Sequence, residues 1–247
     1  MTLPQPPIWD AERLADPHTA PDKAQRVRAM FNAIAGRYEL VNLLFSLGID
    51  AGWRRRAVGV AGITAADEVL DVACGTGDFA RCFARAGAAR VVGCDFAHGM
   101  LLRARGRPRA KLDWCEADAL RLPFADGAFS VTSCAFGVRN FTDLASGLRE
   151  MGRVLRSGGR AVILEFTRPR HVLVRRVYEL YATRLMPAAA GLVSGDRTGA
   201  YRYLPRSVVC FLSAEQTVAA LREAGFAQVR AVPLTLGIVT VYVAVRE

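Results

Sequence analysis

Apolar positions near the start of the chain recur at intervals of three and four. Val27, Met30, Phe31 and Ile34 form one stripe, and Tyr38, Val41, Leu44 and Phe45 form a second. That period predicts amphipathic helices, and a third begins at Trp53 with the arginine run 54–56. From residue 68 the pattern changes. Short apolar runs near 68–72, 90–95, 111–116, 129–135 and 160–166 predict buried strands, with helical stretches between them. The clearest helix covers 144–155 and is stopped by Ser157, Gly158 and Gly159. Strands alternating with helices in this way predict parallel βαβ units with right-handed crossovers. The end of the chain breaks the rhythm. A helix over 214–224 stops at Gly225, and two apolar runs, 228–234 and 238–245, meet at Thr235-Leu236-Gly237. That is a hairpin, so the last strand runs antiparallel to its neighbours. The expected fold class is α/β and Rossmann-like, a seven-stranded, mostly parallel sheet with an antiparallel terminal hairpin and helices on both faces. Residues 1–21 are Pro-rich without a period and read as a mobile arm. Residues 22–247 read as one domain, with a helical cap over 22–60 and an insert after strand five over 167–212.

The first strand ends in the most informative segment. After Glu68-Val69-Leu70-Asp71-Val72 the chain turns through Ala73-Cys74-Gly75-Thr76-Gly77 and enters a helix at Asp78. Glycines at 75 and 77 permit a tight turn and close approach of a ligand to the backbone. The helix behind them presents unpaired N–H groups and its positive dipole end. Two ligands fit. Gly75-x-Gly77-x-x-Ala80 satisfies a dinucleotide fingerprint, with Asp95 about 20 residues on to accept from a ribose. S-adenosylmethionine needs an acid at the end of each of three successive strands, and Asp71, Asp95 and Asp118 stand there. A ribose would offer its hydroxyls to Asp95, an adenine its amino group to Asp118, and no phosphate calls for a basic clamp. The terminal hairpin also separates this plan from a dinucleotide domain, whose sheet is normally all parallel. The predicted S-adenosylmethionine set is Asp71, Gly75, Thr76, Gly77, Asp95, Phe96, Met100, Asp118, Ala119 and Ala135.

Composition narrows the setting. A chain of 247 residues, 52% of them hydrophobic, can bury one sizeable core. No apolar run reaches the ~18 residues of a membrane span, and the N-terminus lacks a signal-peptide pattern, so the chain reads as cytoplasmic. Six cysteines without a CxxC pair read as reduced thiols, and three scattered histidines (18, 98, 171) give no metal-ligand spacing. Net charge is +10, and residues 167–212 hold eight arginines against Glu179 and Asp196. There Val174, Val177, Tyr178, Tyr181 and Leu185 make an apolar stripe edged by Arg175, Arg176 and Arg184. Such a helix suits an anionic membrane surface or packs as a lid on the sheet.

Several longer segments resemble the ubiquinone/menaquinone biosynthesis C-methyltransferase (UbiE/MenG) family of class I methyltransferases. They are Phe31-Asn32-Ala33-Ile34-Ala35-Gly36-Arg37-Tyr38-Glu39, Ser46-Leu47-Gly48-Ile49-Asp50, Phe136-Gly137-Val138-Arg139-Asn140, Tyr201-Arg202-Tyr203-Leu204 and Leu234-Thr235-Leu236-Gly237. The family usually has Asp at Glu39, often His at Asp50, Pro at Ser157 and an acid at Arg206. The resemblance implies an S-adenosylmethionine-dependent C-methyltransferase whose acceptor is a polyprenylated quinol, demethylmenaquinol or a ubiquinone-pathway benzoquinol. It implies Arg139 as the cation for a developing phenolate, Asn140 as orienter of a hydroxyl, and Tyr38 and Asp50 as further catalytic candidates. Phe136, Tyr201 and Tyr203 would contact substrate, while Glu165 would act as a base or anchor the insert. It further implies peripheral association with the inner face of the cell membrane. Rival readings are a nicotinamide oxidoreductase and a nucleic-acid methyltransferase. The polar-Pro-Pro-aromatic run expected of the latter after strand four is absent, so no nucleic-acid partner is expected.

Overall fold

The computed structural model describes residues 8–10, 13–37, 42, 46–106, 112–181, 184 and 198–247. Seven strands form one sheet in the order β3-β2-β1-β4-β5-β7-β6. They are β1 (Glu68–Val72), β2 (Arg90–Asp95), β3 (Leu112–Glu116), β4 (Phe129–Ala135), β5 (Leu155–Phe166), β6 (Phe226–Leu234) and β7 (Val239–Arg246). The first five pair in parallel, and β7 pairs antiparallel with both β5 and β6. The hairpin therefore enters the sheet by inserting β7 between β5 and the edge strand.

Strand five is longer than the sequence suggests. Residues Ser157, Gly158 and Gly159 lie inside β5, because the register against β4 shifts between Phe129 and Val131. Gly158 takes a positive φ of 74° in this irregularity, so the glycines bend a strand already begun. The preceding helix accordingly ends earlier than predicted, at Arg153.

Helices cover both faces. On one side α2 (Asp50–Ala61) and α3 (Asp78–Arg85) pack Trp53, Ala57, Phe79 and Phe83 against Val69, Val91 and Val131. On the other, α5 (Leu144–Arg153) and α8 (Ala214–Glu223) pack Leu148, Met151 and Leu221 against Leu70, Ile163 and Tyr242. Alternate strand residues point to opposite faces, so both faces of a central strand must be apolar.

A third core lies above the sheet's carboxyl end. There α1 (Lys23–Ile34), α4 (His98–Arg105) and α7 (Ala200–Val209) enclose Val27, Met30, Met100, Tyr201 and Tyr203. Trp9 belongs to it, fully buried and stacked on Tyr203 with ring centroids 4.2 Å apart. This corrects the expectation of a mobile arm for its described part, which is a strap. Arg206 donates to the carbonyls of Leu14 and Ala15 at 3.0 and 2.7 Å, fastening that strap to α7. Burying an indole outweighs the weak local preferences of the Pro-rich sequence around it. The insert comprises α6 (Val172–Leu180) and α7 among the described residues, and no residue of α6 is buried. Tyr38, a catalytic candidate in the sequence, and Leu185 of the predicted apolar stripe lie outside the described residues.

Candidate active site

Strand order reverses around β1, whose neighbours are β2 and β4. Loops leaving these strands diverge to opposite faces and open a crevice at their carboxyl ends. The crevice is a cleft lined from both sides of the switch point. Ala73 and Gly75 enter it from the loop after β1, Asp95 and Phe96 from β2, and Ala117, Asp118, Ala119 and Leu120 from beyond β3. Ala135 ends β4 and Phe136, Gly137, Asn140 and Phe141 follow it, while Phe31 of α1 and Met100 of α4 close the top. Of the predicted cofactor residues, Gly75, Asp95, Phe96, Met100, Asp118, Ala119 and Ala135 line this cleft. Asp71 and Thr76 line a smaller recess beside it, shared with Arg54, Cys74 and Asp78. Gly77 lines neither. It sits at φ 83° as the N-cap of α3, where a Cβ would stand 2.1 Å from the Trp114 ring.

Asp95 organises the loop as well as facing the cleft. Its two carboxylate oxygens accept from the N–H groups of Gly75 and Ala97, each at 2.8 Å. Burial still dominates and lifts its pKa to about 6. Asp71 is fully buried; one oxygen accepts from Ser133 Oγ at 2.7 Å, and the other has no partner among the described residues. Burial lifts its pKa to about 7. Asp118 is exposed at the rim and accepts from Leu120 N–H at 2.9 Å.

These features test what the cleft can hold. Two carboxylates and no lysine or arginine among the described residues of the larger cleft, with the unpartnered oxygen of Asp71 in the recess beside it, where Arg54 also stands, suit a cationic ligand bearing hydroxyls. They do not suit a diphosphate. S-adenosylmethionine fits; Asp95 and Asp118 would meet its polar groups from the cleft and Asp71 from the recess beside it.

The segment 136–142 forms the opposite wall. Phe136 has φ 58° and Ala73, across from it, φ 52°. Non-glycine residues in the left-handed region are strained, and here they occupy the starts of the two loops that flank the switch point. Gly137 lets those loops touch: a Cβ there would meet Cys134 Sγ at 2.6 Å and Ala73 Cβ at 2.9 Å. Asn140 lines the cleft, as the sequence suggests. Arg139 does not. Its guanidinium turns inward to Glu165 at 2.7 Å, with side-chain exposures of 6% and 1%, and donates to Phe136 O at 2.5 Å. The buried carboxylate at the end of β5 needs a countercharge, and Arg139 supplies it. Glu165 is thereby an anchor of this loop, its pKa pushed up by burial against the pull of Arg139.

Other candidates are also displaced from the cleft. Asp50, near the start of α2, pairs with Arg54 and accepts from Ser46 Oγ. Tyr201 and Tyr203 are buried in the third core; Tyr203 reaches the site only through its hydroxyl, which donates to Asn140 Oδ1 at 2.9 Å. Sequence reasoning missed Ala24, Phe31, Ala73, Ala117, Leu120, Gly137, Phe141 and Thr142 as lining residues. Phe31 and Ala73 stand inside motifs that were legible, but nothing local shows which way they face.

The sheet order, the acid-tipped strands and the glycine loop together define a class I S-adenosylmethionine-dependent methyltransferase. Residues 20–246 match the ubiE/COQ5 methyltransferase family, and the chain belongs to it. It is 44% identical to the demethylmenaquinone methyltransferase of Deinococcus radiodurans over 97% of this chain and 96% of the relative. It is 43% identical to the ubiquinone/menaquinone biosynthesis C-methyltransferase UbiE of Geobacter sulfurreducens, covering 90% and 88%. Among solved structures, a methyltransferase of Thermotoga maritima superposes with a TM-score of 0.64 over 89% of this chain and 99% of that one, at 18% identity. That likeness concerns the fold.

Proposed function

We propose that this enzyme transfers the methyl group of S-adenosylmethionine to a ring carbon of a polyprenylated quinol, demethylmenaquinol being the favoured acceptor. The names carried by the relatives support a quinone-pathway acceptor. The observation that carries the reading is the junction between the acid-lined cleft and an apolar groove. Phe136 lines the cleft; Trp53, 6.2 Å away centroid to centroid, lines the groove. The groove runs between Leu47 and Ile49, the α6 residues Leu173 and Val177, and Leu236 in the β6–β7 turn. A planar polar head and a long apolar tail match these two compartments.

The sulfonium methyl of the cofactor is already electrophilic, so the protein must hold the ring carbon in line and keep it electron-rich. Asp95 and Asp118 in the cleft, with Asp71 in the recess beside them, would hold the cationic cofactor. Asn140 meets a ring oxygen from the opposite wall, and Phe136 packs beside the ring. The Arg139–Glu165 pair beneath fixes the wall.

The same groove supports peripheral membrane association. Leu47, Leu173, Val177 and Leu236 are 62–76% exposed, although they come from three separate segments. Leu236 is shown outward at φ 56°, a strained conformation for a leucine. Arg168, Arg170 and Arg176 stand exposed on and just before α6, where basic residues add attraction to anionic lipid. Among the described residues no helix is long and apolar enough to cross a membrane.

Incubating the purified protein with labelled S-adenosylmethionine and prenylated naphthoquinol or benzoquinol tests the function. Label on a ring carbon of the naphthoquinol is the expected product. Label on oxygen, or on neither quinol, overturns it.

A further inference from the structure

Lys23 stands outside every motif that the chemistry used, yet it is 2% exposed and lies against the wall of the cleft. Its ammonium donates to the carbonyls of Arg139 at 3.2 Å and Phe141 at 2.5 Å, the two residues flanking Asn140. The third contact is His18 Nδ1 at 3.4 Å. His18 Nε2 lies 2.9 Å from the carbonyl oxygen of Ser207. A carbonyl only accepts, so Nε2 carries the proton and Nδ1 of the neutral ring is left to accept from Lys23. All three ammonium hydrogens thus have acceptors, and no carboxylate pairs with Lys23 among the described residues. Burial is the largest influence on both groups, holding His18 below its ordinary pKa and Lys23 at about 8.

The side chain of Asn140 is fixed from the other side. Its Nδ2 lies 3.4 Å from Phe136 O, which can only accept, so the amide nitrogen must face that carbonyl. Oδ1 then faces Tyr203, whose hydroxyl donates to it at 2.9 Å. Tyr203 is itself fully buried under the Trp9 ring. One amide hydrogen of Asn140 has no acceptor among the described residues, and Asn140 lines the cleft.

We propose that Lys23 and Tyr203 are positioning residues that act through Asn140, Lys23 by gripping the backbone on either side of it and Tyr203 by setting its amide, so that the remaining N–H is presented to an oxygen of the acceptor ring. Trp9 and His18 of the strap brace the two. The inference rests on the methyltransferase reading above, with an oxygen-bearing aromatic ring as acceptor.

A double-mutant cycle tests it, using the full chain and a short-chain naphthoquinol dispersed in detergent. Tyr203→Phe keeps the ring under Trp9 and removes only the hydroxyl. Its melting temperature should stay within a few degrees of the parent and its S-adenosylmethionine affinity within about twofold, while kcat/KM for the quinol falls tenfold or more. Lys23→Met should act in the same direction. Asn140→Ala should lose as much, and adding Tyr203→Phe to it should cost little more, because the hydroxyl acts only through the missing amide. Two outcomes overturn the inference: wild-type kcat/KM in Tyr203→Phe, or losses that multiply fully in the double variant. If Lys23→Met does not fold, the Tyr203 cycle still decides. A parent enzyme that methylates no quinol sinks the functional reading, and that result is distinct from either.

Discussion

The guanidinium of Arg139 and the carboxylate of Glu165 meet at 2.7 Å almost wholly out of water. They join the loop that walls the cleft to the end of β5. Removing one partner leaves the other charge buried and alone, which costs about 3–5 kcal/mol. Arg139→Leu should therefore destabilise the protein by that amount in urea unfolding. Arg139→Leu/Glu165→Leu should regain most of it. If the double variant also retains methyl transfer, Arg139 acts as a strut; loss of turnover with full stability would restore it to the chemistry.

Asp95→Ala should weaken S-adenosylmethionine binding by about 1.5–3 kcal/mol, the scale for a hydrogen bond to a charged group. It should also lower the melting temperature of the unliganded protein, because the N–H groups of Gly75 and Ala97 lose their acceptor. Titration calorimetry and thermal melts read the two effects separately. Unchanged affinity would remove Asp95 from the site.

Burial raises Asp71 to about 7 and Asp95 to about 6 in the folded protein, from 3.8. The native state then keeps protons that the unfolded chain releases. Their contribution to stability is present below about pH 4 and is lost as pH rises through 6 and 7. Asp71→Asn should flatten that decline in the unliganded enzyme, measured by denaturant unfolding from pH 4.5 to 8. An identical slope in parent and variant would refute the shift at Asp71.

Gly137→Ala should push apart the loops after β1 and β4, since its Cβ would meet Cys134 and Ala73 inside 3 Å. A cost of about 1–3 kcal/mol is usual for overpacking. Cofactor affinity should fall with stability, because Ala73 lines the cleft. A variant that binds S-adenosylmethionine as the parent does would show that the two loops move independently.

Leu47→Ser/Leu173→Ser/Leu236→Ser should abolish co-sedimentation with anionic vesicles and leave S-adenosylmethionine affinity intact. Arg168→Ser/Arg170→Ser/Arg176→Ser should weaken vesicle binding and its salt dependence together. Vesicle binding that survives the leucine changes would leave the exposed groove without a membrane role.

The sequence by itself determined the sheet, its terminal hairpin and the acid at the end of each of three strands. Those features are local: a buried strand needs an unbroken apolar run, a sharp turn needs glycine, and each leaves its mark within a few residues. It also placed Gly75, Asp95, Phe96, Asp118, Ala119 and Ala135 in the cleft, while passing over Ala73, Ala117 and Gly137 in the same strand-end loops. What the tertiary structure alone decided is where the remaining polar groups point. Arg139 and Asn140 are adjacent in a legible motif, yet one turns to Glu165 and the other faces the cleft, because a carboxylate 26 residues further on had to be neutralised. Trp9 lies in a Pro-rich stretch that looks unstructured, and only the flat face of Tyr203, far along the chain, gives it somewhere to stack. Lys23 carries no motif, since the carbonyls it grips are 116 and 118 residues away. Partners at such separations are chosen by how the chain packs, and packing is what a local pattern does not encode.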